Sequence, residues 1–406
     1  MMKRTVAIVG GGPAGLRAAE VLAENPGLEI VLFDAKPSVG RKFLVAGRGG
    51  LNLTHSEPVE KFAGRYSGDP AVWQSLLADF DPQAMTRWVR SLGLDTYVGT
   101  SGRIFPEGNR SAELLRAWVR RIKSRGVQLR MRHRWGKIRR EDHRWQLAFE
   151  TPDGAAHFAA EAVVFALGGG SWPETGSDAR WVEAFAAQQI ALAPMEPANC
   201  GWEVDWPAAM LGRIEGRPLK NIAVRAGPAE RTGELLVTRY GLEGGALYAL
   251  GHELRRMKQP SLLIDFKPEL REKNLVHKLG DIKKGEAFDR ARNAWNLSDV
   301  CVALLERAGA RTASVHQLVG LVKSYRLVLK GPRPLAEAIS TAGGVRWAEL
   351  DSHLMLRKMP GVFLAGEMID WEAPTGGYLM QGCFATGTRA AAGVAGFLHP
   401  QKNPAG

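Results

Sequence analysis

The stretch from Thr5 to Asp34 leaves this chain little choice of fold. Thr5-Val-Ala-Ile-Val9 is an apolar run of the kind a parallel sheet buries on both faces, and it feeds straight into Gly10-Gly11-Gly12-Pro13-Ala14-Gly15. Gly10 permits a tight turn, Gly12 offers an approaching pyrophosphate a backbone without Cβ, and Gly15 lets the next helix sit close on the strand. Pro13 suits a first helical position. Leu16, Ala19, Val21, Leu22 and Ala23 then recur at helical spacing until Asn25-Pro26-Gly27 stops the helix. Glu29 to Phe33 reads as a second strand. Asp34 stands at its end, about twenty residues past the glycines, where a carboxylate accepts hydrogen bonds from both ribose hydroxyls of an adenosine. Ala35 and Lys36 follow it into the same candidate site. A carboxylate there argues against a 2′-phosphate, and so against NADP, which leaves NAD or FAD.

At 406 residues the chain is long enough for two or three domains, and its 45% hydrophobic and 24% charged fractions are those of a globular protein. No apolar run approaches the eighteen or so residues that span a bilayer. Met1 to Arg4 is followed by only a short apolar run before the glycines, which reads as a buried strand and not a secretory signal. Cys200, Cys301 and Cys383 are far apart and form no Cys-x-x-Cys pair, so the expectation is a reducing cytoplasm and no metal. The net charge of +12 is local: eleven Lys/Arg and no Asp or Glu fall between Arg116 and Arg140. Trp118, Trp135 and Trp145 lie in or beside that run. Two readings stay open for it, an RNA surface whose cations hold phosphates while the rings stack bases, and a solvated face with the tryptophans in the core.

Further along, Gly47, Arg48, Gly49, Gly50, Leu51 and Asn52 make a segment too rich in glycine for a simple reversal. With Arg41 and Lys42 beside it, its bare amides suit a diphosphate and the carbonyl edge of a planar ring; the plainer alternative is a mobile loop with solvated arginines. Asp69-Pro70 and Asp81-Pro82 each announce a helix, ending near Phe80 and Leu92, and Gly102 to Pro106 reads as a turn leading to a helix over 111–125. Val127 to Met131, Gly136 to Arg140, Arg144 to Glu150 and Ala156 to Ala159 read as strands of a meander. A second buried strand ends at Phe165 and runs into Ala166, Leu167, Gly168 and Gly169, which we count with the cofactor site.

The character changes between about 191 and 342, where strand-like pieces surround helices over about 268–324. The chain then returns with a strand, Gly361 to Gly366, carrying Glu367, and Gly376-Gly377 leads into a small-residue helix from about Gln381 to Phe397. That ending selects FAD. A simple NAD dehydrogenase has no use for another strand, glycine and carboxylate here, whereas in doubly wound flavoproteins such a strand brings an acid to the ribityl hydroxyls. The next helix turns its N-terminus to the pyrimidine edge of the ring, where its partial positive charge is worth up to about 2 kcal/mol. The fold class read from this is α/β: a doubly wound, FAD-binding Rossmann-type domain made of both chain ends (1–190 and 343–400), with an inserted β-barrel plus helical domain (191–342).

With these segments in view, the chain resembles the BaiN-like (YhiN-type) FAD-dependent flavoproteins, distant relatives of the glutathione-reductase superfamily. The matching stretches are Gly10 to Gly15, Gly40-Arg-Lys42, Gly102 to Pro106, Ala166 to Ser171 with Thr175-Gly-Ser177, Gly233 to Thr238, Thr341 to Val345, and Gly361 to Asp370 with Gly376-Gly-Tyr378 and Gln381. Where that family commonly has Gly-Gly-Gly-Arg-Cys-Asn, this chain has Gly47-Arg-Gly-Gly-Leu-Asn52, so no role of that cysteine carries over and a divergent branch is implied. The resemblance implies reduction of a ring carbon–carbon double bond, in a steroid in one branch and in a uracil of ribosomal RNA in another.

Such a reduction needs a hydride and a proton, and Tyr378 and Cys383, just past the last strand, are the candidate acids. No second Gly-x-Gly-x-x-Gly follows a strand, so NAD(P)H as donor would bind transiently. The acceptor is then a small molecule or a nucleobase. Rival readings are a uridine reductase acting on ribosomal RNA through 116–140, and a nucleic-acid-binding protein whose FAD is structural or redox-sensing.

Overall fold

Strand β1 (Arg4–Val9) occupies the centre of a sheet because everything from Thr5 to Val9 can be buried, and is. The computed structural model describes residues 3–280 and 286–399. In it β1 is flanked by β2 (Leu28–Asp34) and β3 (Gln128–Met131) on one side, and by β4 (Ala162–Phe165) and β5 (Val362–Leu364) on the other. All four pairings are parallel, with Ile8 opposite both Leu32 and Val164. Crossovers between parallel strands need helices, and α1 (Pro13–Leu22) is the first of them, entered through Gly12 with Pro13 at its start. Also bordering the site are α2 (Arg41–Ala46) and α4 (Tyr378–Leu398), the latter buried along most of its length, while α3 (Ser111–Ser124) packs against α1 and α2.

Several expectations are corrected here. Val127–Met131 does not join the meander; as β3 it extends the parallel sheet beyond β2, while Arg134–Glu141, Arg144–Thr151 and Gly154–Ala160 form a three-stranded antiparallel sheet of their own. Its alternation of exposed and half-buried residues is that of an edge strand, which sequence periodicity does not separate from a hairpin strand. Arg103–Pro106 is a strand, paired with Thr54–His55 and Thr96–Val98, and not merely a turn. Residues 41–46 are helical, α4 starts three residues before Gln381, and the two Asp-Pro helices are capped by Asp69 and Asp81.

The contacts divide the chain into two compact units, Met1–Glu196 with Ser340–Gly406, and Pro197–Ile339. The second holds a six-stranded antiparallel sheet in the order Trp202–Glu203, Gly241–Glu243, Ala229–Val237, Pro218–Ala226, Ser261–Asp265, Tyr325–Val328. Past the last strand the chain reaches the first again: Lys330 N donates to Glu203 O, and Glu203 N to Gly331 O, both at 2.8 Å. Helices Glu272–Leu279, Asp299–Arg307 and Val315–Lys323 pack with it around one core, as does Ala287–Ala294, which too few apolar side chains made invisible in the sequence.

One buried carboxylate ties the helices of the first unit together. Glu20 on α1 is 1% exposed and accepts from the indole N–H of Trp88 at 2.9 Å and of Trp118 at 3.1 Å, with Arg17 at 3.0 Å and Arg121 at 3.1 Å supplying charge. Removing it strands two indoles and takes the carboxylate from two guanidinium groups, which keep Thr388 and Ser91 as partners. Glu20→Ala is therefore expected to lower unfolding stability by about 3–5 kcal/mol in urea denaturation, the cost of breaking a buried ion pair from one side; a loss under about 1 kcal/mol would contradict this reading.

Candidate active site

Where β1 ends, the chain passes through a point too tight for side chains. Gly10 has φ of +110°, and a Cβ on it would sit 2.2 Å from Ala166 O; one on Gly15 would sit 1.9 Å from Gly10 O. A Cβ on Gly12, by contrast, would meet nothing within 4 Å. The three glycines thus divide the work: two allow backbone contact, and Gly12 leaves open space at the start of α1. That space belongs to a cleft at the ends of the parallel strands. Gly10, Gly12, Pro13, Ala14, Asp34, Ala35, Arg41, Lys42, Ala166, Leu167, Gly168, Gly366, Glu367 and Cys383 all line it, drawn from four separate stretches of sequence.

At one end Asp34 Oδ2 accepts from Gly11 N at 2.8 Å and Oδ1 from Lys36 N at 2.7 Å. Burial raises its pKa above the ordinary aspartate value, opposed by these two amides and by the charges of Arg41 and Lys36. His133 and Trp135 stand beside it, and Phe33, Thr175, Gly176 and Ser177 complete this end of the lining. The Trp135 indole N–H is buried without a partner, as is Nε of Arg41. Two orphaned donors flanking a carboxylate fit a ligand carrying hydroxyls, acceptor nitrogens and phosphate oxygens, which is the adenosine diphosphate half of FAD. His133 and Trp135 escape sequence reading because they lie past β3, whose place beside β2 was not legible.

Lys42, Glu367 and Cys383 also line the cleft. Lys42 Nζ lies 3.6 Å from Glu367 Oε2 and donates to Ser171 Oγ at 2.8 Å. Burial, reinforced by Glu367, pushes the Cys383 thiol well above the usual cysteine range, so it stays protonated and is a poor acid.

The remaining predicted residues stand outside this lining. Gly15 lies under the turn; Gly47 packs on Ser111, Gly169 on Thr341, Gly376 on Arg103 and Gly377 on the backbone of Thr54. Lys36 lays its aliphatic stem along Gly176. Gly49 has open space beside it, and Asn52 Oδ1 is buried without a partner. The side chain of Arg48 falls outside the described residues. Tyr378 is engaged elsewhere: its hydroxyl donates to Glu57 Oε1 at 2.7 Å, Arg65 grips Glu57 at 2.9 and 2.7 Å, and its ring stacks on His55. Burial and Glu57 together raise its pKa.

The basic run is also redistributed. Trp118 and Trp145 are 0% and 6% exposed and Trp135 faces the cleft, so none of them offers a stacking surface among the cations. Arg121, Arg125, Arg134 and Arg139 pair with Glu20, Glu24, Asp178 and Glu141.

Replacing Asp34 by Ala removes a charged acceptor and leaves Gly11 N and Lys36 N without it. FAD affinity is expected to fall about tenfold to a hundredfold by titration calorimetry, and unchanged affinity would remove Asp34 from the site. In the wild type, affinity should decline on acidification at a higher pH than an ordinary aspartate would dictate, since the raised pKa means the acceptor is protonated sooner.

A Clostridium scindens protein named 3-dehydro-bile acid delta(4,6)-reductase is 27% identical over 94% of this chain and 97% of its own length. An Escherichia coli protein named ribosomal RNA dihydrouridine synthase is 24% identical over 92% and 94%. Among solved structures, 3-ketosteroid-delta4-(5alpha)-dehydrogenase from Rhodococcus jostii superposes with a TM-score of 0.54 at 14% identity, covering 97% of both chains, a likeness of fold. Residues 4–393 match the HI0933-like protein Rossmann domain, so the chain belongs to the HI0933-like family and is a FAD-dependent oxidoreductase.

Proposed function

We propose that this enzyme reduces a carbon–carbon double bond in the ring of a small molecule, with FAD held by the unit built from both chain ends and NAD(P)H as donor. The observation that carries the reading is a single cleft lined by a ribose-type carboxylate, Asp34, a second carboxylate, Glu367, and bare glycine backbone. FAD, whose adenosine ribose and ribityl chain are joined by a diphosphate, meets that pattern; NAD with its two riboses would meet it as well, and the family match favours FAD. Bound FAD would take up two electrons and deliver them as a hydride. The names of the Clostridium and Rhodococcus proteins, each a ring-system oxidoreductase, support the choice of acceptor. In this reading the six-stranded sheet of the inserted unit is a barrel.

Within this reading the protein's own groups orient the cofactor, and neither sequence candidate supplies the proton. Tyr378 directs its proton at Glu57, and the Cys383 thiol holds its proton tightly. Purified protein reconstituted with FAD should be bleached anaerobically by NADH or NADPH and recoloured by a steroid 4-en-3-one. Material that cannot take up FAD, or flavin that no ring acceptor reoxidises, would sink the proposal. Tyr378→Phe should cost less than tenfold in acceptor turnover, whereas a drop of about 10²–10⁴-fold would mark it as the general acid after all.

A second reading keeps ribosomal RNA as acceptor. It is favoured by Arg116, Arg120 and Lys123, spaced along one exposed face of α3 with no carboxylate partner among the described residues, and by the name of the Escherichia coli relative. Mass spectrometry of rRNA from a deletion strain decides it: undiminished dihydrouridine excludes it.

A further inference from the structure

We propose that Lys42 and Glu367 form an opposed charge pair that sets the reduction potential of the flavin. The inference rests on the FAD reading above and goes beyond it, since a residue that only holds the cofactor need not tune it. Both side chains line the cleft; Lys42 is half-buried and Glu367 largely buried, at 27% and 11% side-chain exposure. They are separated by 3.6 Å, longer than a close ion pair, while Lys42 spends its short contact, 2.8 Å, on the neutral hydroxyl of Ser171. The ammonium is therefore held between a neutral hydroxyl and a carboxylate. Ser171 itself is 0% exposed, which anchors the far side of the arrangement.

Adding a hydride to oxidised flavin brings two electrons and one proton, and without a further proton the reduced ring carries one negative charge. A fixed cation in the cleft favours this charged form, and a fixed carboxylate disfavours it. The two residues must therefore act with opposite sign. Packing defects would not, because they perturb the site irrespective of charge.

The test is spectroelectrochemical measurement of the two-electron midpoint potential on FAD-loaded protein. Lys42→Met should shift the reduced-to-oxidised ratio at a given potential about tenfold toward oxidised flavin, about 30 mV more negative, and Lys42→Arg should return most of that shift. Glu367→Gln should move the potential the other way. Shifts of the same sign in Lys42→Met and Glu367→Gln, or potentials unchanged in both, overturn the inference while leaving FAD binding intact. If Lys42→Met fails to retain FAD, Lys42→Arg and Glu367→Gln carry the test: a Glu367→Gln potential that is unchanged or more negative overturns it. Wild-type protein that takes up no FAD would instead end the underlying reading.

Discussion

Three backbones meet within van der Waals contact at the end of β1, and the rest of the first unit is arranged around that meeting. The turn at Gly10 touches the carbonyl of Ala166 after β4, and α1 rests on the carbonyl of Gly10 through Gly15. Any side chain at either glycine would push two main chains apart, and φ of +110° at Gly10 adds a conformational cost for anything larger. Because contact is made there, Gly12 is left beside empty space, at the N-terminus of a ten-residue helix whose first amides have no side-chain cap. An anion placed there is favoured by those amides and by the helix dipole. The cleft is what remains when the strands and α1 pack as closely as backbone permits.

Three shielded carboxylates of this unit are each answered by donors. Glu20 collects four donors, two of them indoles from different helices, and Asp34 accepts two amides despite the pull of burial toward its neutral form. Glu57 is gripped by both guanidinium nitrogens of Arg65 while accepting from Tyr378, which holds its pKa down against desolvation. Against this background the unanswered groups stand out. Trp135 Nε1 and Arg41 Nε line the same cleft without partners, and a carbonyl-, hydroxyl- and phosphate-rich ligand is what would answer them.

Much of the site was legible before any coordinates. Strand, glycines, helix, strand and acid appear in order between Thr5 and Asp34, the turn and close approach at Gly10 and Gly15 being required by the backbone and the acid being the expected ribose contact. Glu367 was legible too, since a strand ending in a carboxylate near the C-terminus has few other uses in such a fold. Tyr378 shows the limit. Its position next to Gly376-Gly377 made it look catalytic, and only the packing of residues 55–66 against it gave its hydroxyl to Glu57.

By itself, the sequence determined what neighbours along the chain decide: the Rossmann-type turn, the capped helices, and a break in character between the two chain ends and the middle. Those follow from φ preferences, caps and apolar period, all of which act within a few residues. Tertiary structure alone decided which strand lies beyond β2, and with it the presence of His133 and Trp135 in the cleft. It also decided that the tryptophans of the basic run face inward, and that Lys42 meets Glu367 across more than three hundred residues of chain. Such contacts depend on sheet order and on competition among apolar surfaces for one core, and no local pattern encodes either.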